Sequence, residues 1–367
     1  MIKYPIYRPS LAGRERDYVL DCVDSTWISS KGKYVDRFEN AFADYVGARH
    51  AASVCNGTVA LHLALLSLDI GEGDEVIVPT FTYVASVNAI TYTGAVPVFA
   101  ESRRDTWQLD ASDVETRITP RTKAILLVHL YGHPCDIAEF RKIADRHGLH
   151  LIEDCAEAIG TRYHGQHVGT FGDVACFSFF GNKTITTGEG GMVVTSRAEV
   201  DAKVRHLKGQ GLASGREYWH DVIGYNYRMT NICAALGCAQ LERIETIIEN
   251  KQRVALAYQD ALKDTPAVFQ HQAEGVVHSH WMCSILTRRP EQRDPLRKRL
   301  SLAGIETRPL FPPIHLMPMY AGAQGDFPVA EDLAARGMNL PSYPELSPAD
   351  IHYITDVMTE EFNEWVV

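Results

Sequence analysis

The chain has 367 residues, of which 46% are hydrophobic and 22% charged, and its 36 Lys and Arg against 46 Asp and Glu give a formal net charge of −10. This is the balance of a globular enzyme; it argues against a broad basic surface and so against nucleic acid as the main partner, while leaving room for a local basic pocket around a phosphorylated ligand. The eight cysteines form no C-x-x-C pair and several lie in apolar runs, a pattern that predicts free thiols in a reducing cytoplasm, without disulfides or a structural metal.

The N-terminal stretch MIKYPIYRPSLAGRERDYVL has no apolar core, so no secretory signal is expected, and no apolar run reaches the ~18–20 residues that would span a membrane. HAASVC (50–55) reads as a short strand leading into Asn56-Gly57-Thr58, and Val59, Leu63 and Leu66 then recur at helical spacing. Further apolar strands are predicted at 75–80, 96–101, 123–130, 148–154, 173–180 and 190–196, with a helix over DIAEFRKIADRHG between two of them. Strands of this length alternating with helices imply an α/β sheet covered on both faces, in which ligands bind at the carboxyl ends of strands. Asn56, Thr80–Tyr83, Asp154 and Lys183 each follow an apolar strand and should share that edge. One long helix is predicted from about Thr230 through Ile248. Beyond residue 250 a strand-like HWMCSILT (280–287) and a helix-like RDPLRKRLSLAG (293–304) predict a smaller C-terminal α+β unit.

The segment ACFSFFGNKTITTGEGGM (175–192) sets one lysine between an apolar strand and a glycine-rich turn. A surface lysine, a phosphate-binding loop and a reactive amine all fit that position. The P-loop requires glycine immediately before the lysine, and here Asn182 stands there; no G-x-G-x-x-G joins the first strand to its helix either. A reactive lysine needs a carbonyl partner, desolvation and orienting neighbours. Pyridoxal phosphate brings the carbonyl, and itself needs a phosphate cradle, a carboxylate beside its ring nitrogen and a flat surface to stack on. Asn56-Gly57-Thr58 at a helix N-terminus can serve the phosphate or simply cap the helix. Asp154 can face the ring nitrogen or cap the next helix, and strand alternation puts its neighbour Glu153 on the other side. Tyr83 can stack on the ring or belong to the core, and Ser178 can donate to the phosphate or be a satisfied buried hydroxyl.

Taken together, HAASVCNGTVALHLAL, DEVIVPTFTYVASVNAI, VHLYGHP, LIEDCAEAIG, FSFFGNKTITTGEGG and GYNYRMTNICAALG resemble the pyridoxal-phosphate sugar aminotransferases of the DegT/DnrJ/StrS family, and the resemblance runs from PIYRPSL to MNLPSYP. Within it, TWISSKGKYVDRFE, YGHPCD and KGQGLA resemble the members that make GDP-perosamine. The resemblance implies the aspartate-aminotransferase type of fold (fold type I), with a large mixed-sheet domain over 1–249 and a small C-terminal α+β domain over 250–367. It also implies a homodimer or homotetramer with active sites at the subunit interface. Lys183 matches the lysine that condenses with the cofactor aldehyde, and Asp154 the acid at the ring nitrogen. Gly57, Thr58 and Ser178 match phosphate contacts, Tyr83 the stacking residue, and Asn226 an asparagine that reaches the neighbouring subunit's cofactor. Glu157 stands where histidine or glutamine is common near the cofactor's phenolic oxygen, and a carboxyl group donates a hydrogen bond there only when protonated. Ser29, Ser30, Lys31, Arg308 and His315 lie in segments that resemble those lining nucleotide-sugar sites. The implied reaction moves an amino group from L-glutamate, leaving 2-oxoglutarate, to a 4-keto-6-deoxy nucleotide sugar. GDP-4-keto-6-deoxy-D-mannose would give GDP-perosamine, a precursor for O-antigen lipopolysaccharide. The alternatives are an aminotransferase on a dTDP- or UDP-linked sugar, a sugar dehydratase, in which histidine replaces the lysine, and a non-catalytic cofactor-binding regulator.

Overall fold

The computed structural model describes residues 2–365. Its strands, in chain order, are β1 (His50–Val54), β2 (Glu75–Pro79), β3 (Val96–Ala100), β4 (Thr122–Val128), β5 (His150–Asp154), β6 (Arg162–Tyr163), β7 (Gln166–His167), β8 (Val174–Ser178), β9 (Gly191–Thr195), β10 (Val268–Phe269), β11 (Val276–Val277), β12 (Cys283–Leu286), β13 (Arg308–Pro309) and β14 (Gly337–Leu340). Seven of them form one sheet in the order β1-β9-β8-β5-β4-β2-β3. Its β3, β2, β4, β5 and β8 run parallel, while β9 is antiparallel to both β8 and β1. The carboxyl ends of β1, β2, β4, β5 and β8 therefore emerge at one edge, as the apolar runs predict.

Side chains alternate across this sheet. Ile125, Leu127, Leu151, Ala175 and Phe177 enter one core with Phe38, Phe42, Phe140 and Ala234 from covering helices. Ala124, Leu126, Ile152, Val174 and Cys176 enter the opposite core with Leu61, Leu65, Val87 and Val204. Both faces are dry, which is why the strands read as unbroken apolar runs.

The long helix expected from Thr230 is two helices, Asn231–Leu241 and Ile244–Leu262. Thr230 caps the first, its side chain accepting from the Cys233 amide at 3.3 Å. Arg243 (φ −117°, ψ 9°) leaves helical geometry between them, where Glu242 accepts from the Tyr18 hydroxyl at 2.6 Å and Arg37 at 2.8 Å. The break lets the chain serve two cores. Ile244, Ile247 and Ile248 pack against the large sheet, whereas Val254, Tyr258 and Leu262 enter a third core with Cys283, Leu300, Leu340 and Ile354. That third core lies against an antiparallel sheet, β10-β12-β14-β13. Tyr4 joins it from the N-terminal end and bridges Ile305. Among the described residues no helix is long and apolar enough to cross a membrane.

Candidate active site

Lys183 sits in the turn after β8, and three bonds fix its backbone. Its amide donates to Phe180 O at 2.9 Å, its carbonyl accepts from the Tyr7 hydroxyl at 2.7 Å, and the neighbouring Asn182 carbonyl accepts from Trp281 Nε1 at 2.8 Å. The side chain is 13% exposed, with Nζ 3.7 Å from Glu157 Oε1 and 4.1 Å from the centre of the Trp281 ring. Burial pushes the ammonium pKa down, and the carboxylates of Glu157 and Asp154 oppose that shift. This favours a free amine more than water would.

Asp154 ends β5 and is 4% exposed. Its Oδ2 accepts from the Ser86 hydroxyl at 2.7 Å and its Oδ1 from the Ala156 amide at 3.0 Å. Burial raises its pKa, while those two donors and Lys183 counter the rise. Glu153 turns the other way, as strand alternation requires. It accepts from the amides of Gly169, Phe171 and Gly172 and from His129 Nε2, tying down the chain between β7 and β8.

Glu157 Oε2 accepts from the Tyr131 amide at 2.8 Å. Burial, assisted by the charge of Asp154, pushes its carboxyl from an ordinary 4.5 up to about 7, against the pull of Lys183 and the Tyr131 amide. A carboxyl group with that pKa keeps a large share of its acid form near neutral pH and in that form can donate a hydrogen bond, whereas a glutamate in water is almost wholly ionised. The shift also predicts a pH dependence. Between about 4.5 and 7 the folded chain keeps a proton that the unfolded chain releases, so this group lowers stability as pH rises and adds no further change above about 7. Glu157→Gln should flatten that slope by an amount on the order of 3 kcal/mol, read by urea unfolding of the cofactor-free protein at pH 5 and pH 8. Equal slopes in the two proteins would mean that Glu157 is ionised throughout.

Gly57 opens the helix Gly57–Ser67, which Asn56 caps by accepting from the Val59 amide at 3.0 Å. A Cβ at residue 57 would lie 2.7 Å from Ser178 Cβ. The helix N-terminus and the end of β8 thus meet closely, and the missing side chain is what leaves backbone N–H groups beside the Ser178 hydroxyl, with Thr58 in the same first turn. This is the setting in which helix N-termini hold phosphate. Tyr83 precedes the helix Val84–Tyr92, with its ring 5.5 Å from that of Phe311. Ser86, three residues on in the first turn of that helix, is buried and reaches Asp154. A buried amine, a buried carboxylate near enough to influence it, a second carboxyl group and an anion cradle fit pyridoxal phosphate. Lys183 would carry it, Asp154 would face its ring nitrogen, Glu157 its phenolic oxygen, and Gly57, Thr58 and Ser178 its phosphate.

The remaining predicted site residues lie further out. Asn226 is exposed. Its segment runs beside the end of β1, where the Cys55 amide donates to Tyr227 O, and its amide oxygen accepts from Arg228 at 3.4 Å. Ser29, Ser30 and Lys31 form the loop before the helix Lys33–Val46, anchored through the Asn231 amide to Ser29 O. Arg308 is exposed on β13 and paired with Glu306 at 3.1 Å. His315 uses both ring nitrogens within the chain, Nδ1 with Thr80 Oγ1 at 2.7 Å and Nε2 with Glu331 at 3.2 Å, and so docks its loop onto the end of β2. The sequence reading did not single out Tyr7, Ser86, Tyr131 or Trp281.

Residues 9–359 match the model of the DegT/DnrJ/EryC1/StrS aminotransferase family. The chain is 56% identical to the GDP-perosamine synthase of Escherichia coli O157:H7 over 99% of this chain and 100% of that one. It is 51% identical to the GDP-perosamine synthase of Vibrio cholerae over 98% and 99%. Among solved structures, S. venezuelae DesV in complex with a ketimine intermediate superposes with a TM-score of 0.90 at 38% identity, covering 95% of this chain and 94% of that one.

Proposed function

Because the chain belongs to the DegT/DnrJ/EryC1/StrS aminotransferase family, we propose that it is the pyridoxal-phosphate-dependent enzyme that transfers the amino group of L-glutamate to C4 of GDP-4-keto-6-deoxy-D-mannose, yielding 2-oxoglutarate and GDP-perosamine. The observation that carries this reading is the buried set of Lys183, Asp154 and Glu157 at one sheet edge, in a chain more than half identical over its length to two GDP-perosamine synthases. When bound, the cofactor supplies an aldehyde that accepts the amino group and a ring that draws electrons from the carbon losing its proton.

Lys183 Nζ takes the proton from the α carbon of L-glutamate, and in the second half of the cycle it delivers one to C4 of the sugar. Its depressed pKa leaves the amine free to take a proton and makes the ammonium so formed a readier donor when it gives one back. Asp154 supports a positive charge on the ring nitrogen it faces. Glu157, with its pKa raised to about 7, is divided between its acid and its carboxylate near neutrality, and the acid form would donate to the phenolic oxygen. The retained Lys183 speaks against the dehydratase alternative. The test is a panel of 4-keto-6-deoxy sugars carrying GDP, dTDP or UDP, with glutamate as donor. Turnover is expected with the GDP sugar at a kcat/KM well above the others, and a preference for a dTDP or UDP sugar would overturn the substrate assignment.

The same reading makes each site composite, formed by two copies of the chain. Leu212, Tyr218, Trp219 and Ile223, just ahead of Asn226, are exposed apolar side chains of the kind a partner would cover. Asn226→Ala should then weaken cofactor binding by about 1–3 kcal/mol, the scale of a lost hydrogen bond to a charged group. Mixing Asn226→Ala subunits with Lys183→Ala subunits places both lesions in one site and neither in the other, so activity should reappear once subunits exchange. Verified mixed dimers without recovery would assign Asn226 to its own chain's site or to structure alone.

A further inference from the structure

We propose that Ser86 is a positioning residue for amino transfer: its hydroxyl, 2.7 Å from Asp154 Oδ2, holds that carboxylate aimed and ionised. This rests on the assignment of Asp154 to the ring nitrogen. The two oxygens of Asp154 have donors of different origin. Oδ1 accepts from Ala156 in its own turn, a bond that leaves the carboxylate free to swing with that turn. Oδ2 accepts from the first turn of the helix Val84–Tyr92, a separate element, so Ser86 is what fixes the carboxylate plane relative to the rest of the edge.

The position itself argues for a role. Val87, Ala89 and Ile90 on the same helix are fully buried and apolar, and Ser86 is 2% exposed among them. A hydroxyl buried there costs free energy unless it is paired, and its partner is the Asp154 carboxylate. Thr82 Oγ1 lies 3.3 Å from Ser86 Oγ and can donate to it. The three groups then form a directed chain in which Thr82 donates to Ser86 and Ser86 to Asp154. Without the Ser86 hydroxyl, Oδ2 of a buried carboxylate loses its donor. Burial already favours the neutral acid at this site, and a neutral acid no longer balances a positive ring nitrogen. The Ser86 hydroxyl is engaged with Asp154 and Thr82, so Ser86 acts through Asp154.

The test compares wild type with Ser86→Ala, Ser86→Cys and Ser86→Thr. In the cofactor-free protein, the Asp154 carboxyl is followed by infrared difference spectroscopy across pH, with Asp154→Asn marking its band. In the loaded protein, the pH profile of cofactor absorbance and the single-turnover rate with glutamate are recorded. Ser86→Ala is expected to raise the pH at which Asp154 ionises and to slow the half-reaction by about 10- to 100-fold, the weight of one hydrogen bond to a charged group, with KM for glutamate little changed. Ser86→Thr should restore both, and Ser86→Cys, a weaker donor of similar shape, should fall between and serves where the alanine variant fails to fold. An Asp154 titration that does not move in folded Ala or Cys variants overturns the proposal, as does a threonine variant that folds but restores neither readout. The infrared titration needs no substrate, so absence of amino transfer in wild type would sink the functional reading while leaving the Ser86–Asp154 result to be read independently.

Discussion

Lys183→Ala is expected to remove turnover almost entirely, by at least about 10⁴-fold in kcat, because one substitution deletes both the covalent anchor and the group that moves the proton. The fold should survive. The turn at 181–183 is held by backbone bonds from Phe180, Tyr7 and Trp281, none of which needs the lysine side chain. Glu157 loses its cationic neighbour and should become still harder to ionise, a change absorbed by its raised pKa. Cofactor should still bind noncovalently through the phosphate cradle. The measurement is borohydride reduction followed by peptide mapping, which should recover the reduced adduct at Lys183 in wild type and nowhere in the variant. Two other buried lysines make this a demanding comparison. Lys251 has its pKa pulled to about 8 by burial, but its Nζ donates to Ser342 O at 2.8 Å and lies over the Tyr7 ring. Lys208 is engaged by Glu39 at 3.0 Å and by Ser53 O at 2.8 Å. Both have assigned partners away from Asp154, so labelling of either in wild type would refute the role given to Lys183.

How legible each feature was in the sequence depends on the range of the interactions that make it. The strands of the large sheet lie within a few residues of their predicted spans because each is an apolar run bounded by breakers: Pro79 closes β2, and the Gly190-Gly191 pair opens β9. Lys183 and Asp154 were legible as candidates for the same reason, since one follows and the other ends a strand whose carboxyl end lies at that edge, whereas Glu157 came only from the family resemblance. The interruption at Glu242–Arg243 was not legible. The apolar spacing is continuous across it, and the bend depends on Tyr18 and Arg37, more than 200 residues away. Trp281 reads as the start of a strand and becomes a site residue only when the small sheet docks beside the lysine turn. Tyr131 is similar. Its backbone is left-handed (φ 59°, ψ 9°), a conformation costly for a bulky residue, and it is held by Glu157 on its amide, Phe311 on its hydroxyl and the stacked Trp281 ring. No local pattern announces such a residue, because every contact that stabilises it is remote in sequence.

Asp154→Asn should separate stability from catalysis. Burial raises the Asp154 pKa, so the charged carboxylate is disfavoured in the folded chain relative to the unfolded one, and that penalty grows as pH rises above the ordinary aspartate range. The neutral, nearly isosteric amide removes it. Its oxygen can accept from one of the two donors, Ser86 or Ala156, and the Ser86 hydroxyl can turn to accept from the amide NH₂. The cofactor-free variant should therefore be at least as resistant to urea at pH 8 as wild type. Catalysis should move the opposite way. With no negative charge facing it, the ring nitrogen is harder to protonate, and the ring draws electrons less well from the carbon that yields its proton. Both half-reactions should slow by about 10²–10³-fold, the scale on which single preorganised electrostatic groups act in enclosed sites, while cofactor affinity, carried mainly by the phosphate cradle and Lys183, should change far less. Single-turnover measurements with glutamate at saturating cofactor decide the matter. Rates equal to wild type would show that the ring nitrogen does not depend on Asp154, and the carboxylate would then have to be reassigned to holding the Ser86 turn against the end of β5.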